Sequence, residues 1–143
     1  MKNYVYRLLL LLTVLALAGG GEKKTDAVAG EAYKIYYLNT SVTKLAPYEY
    51  HTETTDTELL IQELMEQFLK VPNDVDSQAA LSDKVGYRGY RLEERILYLY
   101  FDGSYTAMKP EQEILCRAAL ARTMTQIPGI DYISIYCGDQ PLM

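Results

Sequence analysis

The chain has 143 residues, with 14 Lys and Arg against 19 Asp and Glu, a formal charge of -5, two cysteines and one histidine. Lys2 and Arg7 are the only charged groups among the first eighteen residues, so the remaining 125 carry 12 basic and 19 acidic groups. That is enough chain for one domain with a core, and its acidic balance excludes a nucleic-acid footprint or a polybasic membrane patch. Tyrosine is the outlier at 14, against two Phe and no Trp, which points to sheet.

Residues 1–18 have the form of an export signal: a basic start followed by an apolar run from Leu8 to Ala18 broken only by Thr13. As a helix that run spans roughly 16 Å, about half a hydrocarbon core, which is too short for a dedicated membrane span. Ala16 and Ala18 satisfy the small-x-small rule for signal peptidase, with cleavage before Gly19. Leu17-Ala18-Gly19 also reads as the first three residues of a lipobox, but Gly20 stands where the lipid-accepting thiol would be. The product is therefore expected outside the cytoplasm, at the outer face of the cytoplasmic membrane or secreted. Its membrane link is the signal itself, or a lipid anchor if the native residue at position 20 is cysteine. Residues 19–31, GGGEKKTDAVAGE, read as a flexible linker, and 32–143 as the domain.

Tyr33–Leu38, YKIYYL, predicts a first strand, and Lys44–Thr52, interrupted by Pro47, a second at an edge. Thr55-Asp56-Thr57-Glu58 has the form of a capping box. After it Leu60, Ile61, Leu64, Met65, Phe68 and Leu69 recur at three and four, which predicts an amphipathic helix ending near Lys70. Residues 72–84 read as a polar connection with a turn of helix at Gln78–Leu81. Asp74 and Asp76 suggest a calcium loop, but Ala79 and Val85 occupy the places where an EF-hand needs Gly and an acid. Val85–Leu92 and Arg95–Phe101 predict paired strands joined at Glu93-Glu94. The second alternates Leu97, Leu99 and Phe101 with Ile96, Tyr98 and Tyr100, so both its faces are at least half buried. A second helix starts at Pro110 with Glu111 and Glu113 in its first turn, and Ile127-Pro128-Gly129 stops it. Asp131–Cys137 is the last strand. The order β-β-α-β-β-α-β predicts an α+β domain, a mixed sheet with two helices packed on one face.

Catalysis finds little support. His51 is the one histidine, Asp102 and Ser104 share a turn with no local base, and Glu93-Glu94 reads as a solvated hairpin turn. No catalytic residue, metal site or cofactor is expected. Cys116 and Cys137 could be bridged in an exported protein, while two buried free thiols are the plainer reading.

RTMTQIPGIDYISIYCGDQPL, with YKIYYLN near the start and ILYLYFDGSY before the second helix, resembles the GerMN domain of sporulation and spore-germination proteins over about Tyr33–Met143. The resemblance implies a fold similar to ring-building motifs. It also implies a noncatalytic module that acts in assembly of a cell-envelope complex of a Gram-positive spore former, meeting copies of itself or another envelope protein. Two departures accompany it. Cys137-Gly138-Asp139 shifts a turn glycine by one place, and the sequence stops at Met143 where members usually continue, so the domain is expected to be a short or truncated form. Tyr36, Tyr98, Tyr100, Tyr132 and Tyr136 would form one outer sheet face if their strands are neighbours, suited to a protein contact. The alternative use of those rings is stacking on sugars of peptidoglycan, and ordinary half-buried sheet packing is the plainest account.

Overall fold

The computed structural model describes residues 30–142. The expected signal peptide with Ala16 and Ala18, the position Gly20 and nearly all of the linker lie outside the described residues.

Strand β1 spans Glu31–Asn39 and pairs antiparallel with β2, Leu45–Thr52, with Ile35 opposite Tyr48 and Tyr36 opposite Pro47. Asn39 organises the turn between them. Its Oδ1 accepts from the N–H groups of Thr43 at 2.9 Å and Lys44 at 3.1 Å, and its Nδ2 donates to the hydroxyls of Ser41 and Thr43. β2 is an outer strand, as Pro47 requires, because a proline cannot donate to a further neighbour.

Helix α1 covers Thr57–Leu69, with Leu60, Ile61, Leu64, Met65 and Phe68 buried. The capping box expected from Thr55 does not form. Asp56 is the N-cap, its Oδ2 accepting from the Leu59 N–H at 3.0 Å. A carboxylate caps better than a threonine hydroxyl and adds a charge favourable to the helix dipole. Glu58 is thereby moved to the second helical position, and it accepts a hydrogen bond from the Tyr90 hydroxyl instead. The helical turn expected at Gln78–Leu81 is replaced by a two-residue strand, β3, Ser77–Gln78, with Gln78 opposite Leu38. Asp74 accounts for the change. Its Oδ1 accepts from the Asp76 N–H and its carbonyl from the Ser77 N–H, a local turn that competes with helix and aims the chain back along β1.

Strands β4, Tyr87–Glu93, and β5, Ile96–Phe101, form a hairpin whose turn residues are Glu94 and Arg95, one place beyond the expected joint. Both have positive φ, 51° and 70°, as a two-residue turn matching strand twist demands. Arg95 is held there by a bidentate pair with Asp131, at 2.6 and 3.0 Å. A bulge beside Gly89, which has φ 125°, shifts the register near the start of β4. A 3-10 turn at Gly103–Ala107 leads to helix α2, Pro110–Met124, and strand β6, Tyr132–Cys137, runs parallel to β5. The two-residue β7, Gln140–Pro141, closes the described chain against β6.

The α+β class with two helices is as expected, while the strands divide into two sheets rather than one. One has the order β2-β1-β3 and the other β4-β5-β6-β7. The division follows from what meets the second edge of β1. The Gln126 side chain takes the place of a neighbouring strand: its Oε1 accepts from the Lys34 N–H at 2.8 Å and its Nε2 donates to the Lys34 carbonyl at 2.7 Å. One step along, the Tyr36 N–H donates to Thr123 Oγ1 at 3.1 Å. Side chains at the end of α2 thus satisfy backbone groups that would otherwise need a strand. Thr123 is fully buried, so Thr123→Val leaves the Tyr36 N–H without an acceptor. The variant is expected to lose about 1–3 kcal/mol in a urea melt with unchanged m-value.

The core lies between the helices and the inner sheet faces. Leu97, Leu99 and Phe101 of β5 are fully buried, against Cys116, Ala119, Leu120 and Met124 of α2 and the apolar face of α1.

Candidate interaction face

Strand alternation sends Leu97, Leu99 and Phe101 inward and Tyr98 and Tyr100 to the opposite face. The parallel register places Tyr100 beside Tyr136 and Tyr98 beside Ser134, while Ile96 lies beside Tyr132. Tyr136 therefore packs against both β5 tyrosines, with ring centroids 5.2 Å from Tyr100 and 6.3 Å from Tyr98. Arg91 of β4 joins from the other side. Its guanidinium carbon lies 4.1 Å from the Tyr98 ring centroid, and its Nε donates to the Tyr100 hydroxyl at 3.1 Å. Glu93 pairs with the same guanidinium. The result is a half-buried platform of three tyrosine rings with one stacked arginine, and an exposed Tyr132 one row away, 68 % accessible.

Four of the five tyrosines anticipated for one face are thus on it. Tyr36 is not. It belongs to the other sheet, is 9 % accessible and lies under the Arg122 guanidinium, 4.8 Å from its ring centroid. Its placement depends on the division of the sheets, to which the local pattern of β1 is blind. Arg91 was the residue missed, because only the β4–β5 register, with Arg91 opposite Tyr98, brings it to the rings.

Asp102 and Glu93 have structural partners, and the other residues considered for chemistry stand apart from one another. Asp102 accepts from the Gly86 N–H and the Ser104 N–H, both at 3.0 Å, and so caps the 3-10 turn. His51 Nε2 stands 3.8 Å from Glu49, and its Nδ1 is buried without a partner among the described residues. Glu93 pairs with Arg91, and Glu94 is exposed in the hairpin turn. Cys116 and Cys137 are free thiols, one buried and one half-buried. Burial pushes Cys116 up to about 12 and raises Cys137 as well, so both remain protonated and poorly nucleophilic at neutral pH. Among the described residues no group of three or more His, Cys, Asp or Glu is placed to hold a metal ion, and no helix is long and apolar enough to cross a membrane.

Comparison with known proteins now bears on this fold. The sequence profile of the Germane family, described as sporulation and spore germination, matches residues 34–143. No curated protein matches the chain by sequence. Among solved structures, the first GerMN domain of the sporulation protein GerM from Bacillus subtilis superposes with a TM-score of 0.62 at 13 % identity, covering 78 % of this chain and 86 % of that one. The tandem GerMN domains of the same protein give 0.57 at 14 % identity, and there the match covers 78 % of this chain and 40 % of that one. A candidate lipoprotein from Clostridium perfringens gives 0.50 at 20 % identity, covering 80 % and 82 %. The profile covers most of the chain and the fold agrees with it, so residues 34–143 are a GerMN-type domain, and the chain belongs to the sporulation and spore germination family.

Proposed function

We propose that this chain is a noncatalytic extracytoplasmic module that acts in assembly of a cell-envelope complex during sporulation or germination, and that the platform of Tyr98, Tyr100, Tyr136 and Arg91 is its protein-contact face. The observation that carries the reading is the stacking of Arg91 on Tyr98 with its Nε bonded to Tyr100. That arrangement holds rigid aromatic area and a charged fork in fixed geometry on an outer face. Tyrosine and arginine are the residues enriched at the energetic centres of protein interfaces: a tyrosine covers much area with two side-chain torsions, and the stack and hydrogen bond here already hold Arg91 in one arrangement. Family membership supplies the setting, and the likeness to a candidate lipoprotein supports a place outside the cytoplasm.

The test is in-cell crosslinking of an epitope-tagged chain through growth and sporulation, with the crosslinked species identified by mass spectrometry. Stage-dependent species containing the chain itself or an envelope protein are expected. In the Tyr98→Ala/Tyr100→Ala double variant they should fall at least about tenfold, as for loss of an interface centre. The same rings could stack on sugars, so pelleting with purified peptidoglycan is the companion assay. Wall binding that disappears in the double variant, without protein crosslinks, would move the assignment to peptidoglycan. If the variant alters neither behaviour, the platform is ordinary sheet packing.

A further inference from the structure

A second surface, distinct from the tyrosine platform, lies where α1 passes the outer strand β4. Tyr90 ties the two by hydrogen bonds: its hydroxyl donates to Glu58 Oε1 at 3.1 Å and accepts from Gln62 Nε2 at 3.5 Å. Beside that tie an open groove of about 720 Å³ runs between helix and strand, in the size range of sites that hold a ligand or a short peptide. Its apolar lining is Leu59, Met65, Leu69 and Tyr87, and Leu59 is 55 % accessible.

The strand wall offers backbone groups. β4 is the last strand of its sheet. Its two-residue turn closes on the Glu93–Ile96 pair, which makes that pair the hydrogen-bonded one. Counting back along an antiparallel ladder, Arg91 also turns its N–H and C=O to β5, and Tyr90 and Leu92 turn theirs outward. No loop or side chain meets those outward groups among the described residues. The other sheet margins are blunted: β2 carries Pro47, and β3 and β7 are each two residues long.

The rim of the groove is acidic, with Glu63 and Glu66 in its lining and no Lys or Arg. A hydrogen bond from the Tyr50 hydroxyl holds the Glu63 carboxyl below the usual carboxylate range, so it is charged at neutral pH. A helix and a sheet edge with a groove between them is the arrangement in which an extended peptide adds as a further strand, with alternate side chains facing the helix.

We infer that the α1–β4 groove binds an extended peptide segment of a partner protein, added as a strand on β4 through the backbone of Tyr90 and Leu92, with apolar and basic side chains directed at Leu59 and at Glu63 and Glu66. The apolar lining selects one, and the rim the other. Long basic side chains suit this rim, since their stems cover apolar surface while their heads reach the carboxylates.

The probe is a synthetic heptapeptide, Leu-Thr-Lys-Thr-Leu-Thr-Lys with blocked ends, which presents Leu and Lys on one face of a strand and Thr on the other. Its partner has Glu in place of Lys. A third peptide is the Lys form N-methylated at alternate residues, made in both registers. Binding is followed by NMR on the isotope-labelled exported part, reading the Tyr90 and Leu92 amides and their hydrogen exchange. The Lys peptide is expected to bind, to slow exchange at those two amides and to weaken with salt. The Glu peptide and one N-methyl register should fail. Glu66→Gln should weaken binding severalfold with an unchanged melt, and adding Glu63→Gln should bring the loss to about tenfold or more while lowering the melt slightly, because the Tyr50 hydroxyl then donates to a neutral amide. Tyr98→Ala/Tyr100→Ala should leave it unchanged, which separates this groove from the platform. Equal binding of Lys and Glu peptides, indifference to N-methylation in both registers, or no binding with unprotected amides would overturn the inference. So would protection of the same amides in a dimer of the protein alone, which would make the occupant a second copy.

Discussion

Leu64→Asp is expected to leave the domain unfolded in neutral buffer. Leu64 is fully buried on the face of α1 that also carries Leu60, Ile61 and Phe68. The change forfeits the burial of a leucine, about 1.5–3 kcal/mol, and places a carboxylate where no cation is within the cluster, a further cost of several kcal/mol unless the group protonates or the helix leaves. Against a total stability of about 5–15 kcal/mol for a domain of this kind, the two together are decisive. A far-ultraviolet circular dichroism melt reads the outcome. A cooperative, native-like transition in the variant would show that α1 does not pack as described. Leu64→Met, which keeps volume and apolar character, should cost less than about 1.5 kcal/mol and controls for sensitivity of the site to any change.

The second large effect is expected at Tyr105. This residue is fully buried in the short 3-10 turn and is the largest such side chain. Its ring lies 5.3 Å from that of Phe101, and its hydroxyl donates to Glu113 Oε2 at 2.9 Å, while Glu113 pairs in turn with Arg117. Tyr105→Ala opens a cavity between the end of β5 and α2, and a loss of about 3–5 kcal/mol follows, equivalent to a fall in Tm on the order of 10–20 °C. Tyr105→Phe keeps the ring and removes one hydrogen bond from a carboxylate that Arg117 still holds, so about 1 kcal/mol is expected. The two variants together divide packing from hydrogen bonding. A pH signature goes with them. Burial first, then Cys116, then the bond to Glu113 raise the phenol far above its ordinary value. A raised folded value means that this stabilisation is fully present below the unfolded tyrosine range and is lost as pH rises beyond it. Tyr105→Phe should therefore flatten the alkaline limb of stability against pH and leave the acid limb in place. If Tyr105→Ala melted within a degree or two of the parent, the turn would not be part of the core.

Much of this fold was legible because its signals are local. The three-and-four spacing from Leu60 to Leu69 sets one helical face whatever lies beyond it, and the buried set is the one the spacing picks out. Pro47 could only sit on an outer strand, and β2 is one. Pro128 has no N–H with which to continue α2, and the helix ends at Met124, two residues short of the expected Gln126. The two faces of β5 were both readable as buried or half-buried, and the structure has three fully buried residues on one and a tyrosine platform on the other.

Where local chemistry offered near-equal choices, the reading slipped by one residue or one element. Thr55 and Asp56 are both capping types, and the carboxylate won. Gln78–Leu81 has helical composition, but the turn made by Asp74 directs it to β1. The hairpin turn fell on Glu94-Arg95, where the long-range fork from Arg95 to Asp131, 36 residues on, supports a backbone that neither residue prefers.

By itself, then, the sequence determined the two helices and the five longer strands in their order, the buried faces of α1 and β5 and the resemblance to the GerMN family, since each depends on periods of two or 3.6 and on residues close in the chain. Only the tertiary structure decided that the strands form two sheets, that Tyr36 is parted from the other tyrosines, that Arg91 stacks among them and that α1 leaves an acidic groove along β4. The Arg91 stack depends on where the β4–β5 turn sets its register, and the others on segments far apart, as in the 92-residue reach from Lys34 to Gln126. A side chain that satisfies a distant strand edge leaves no mark on the periodicity around it.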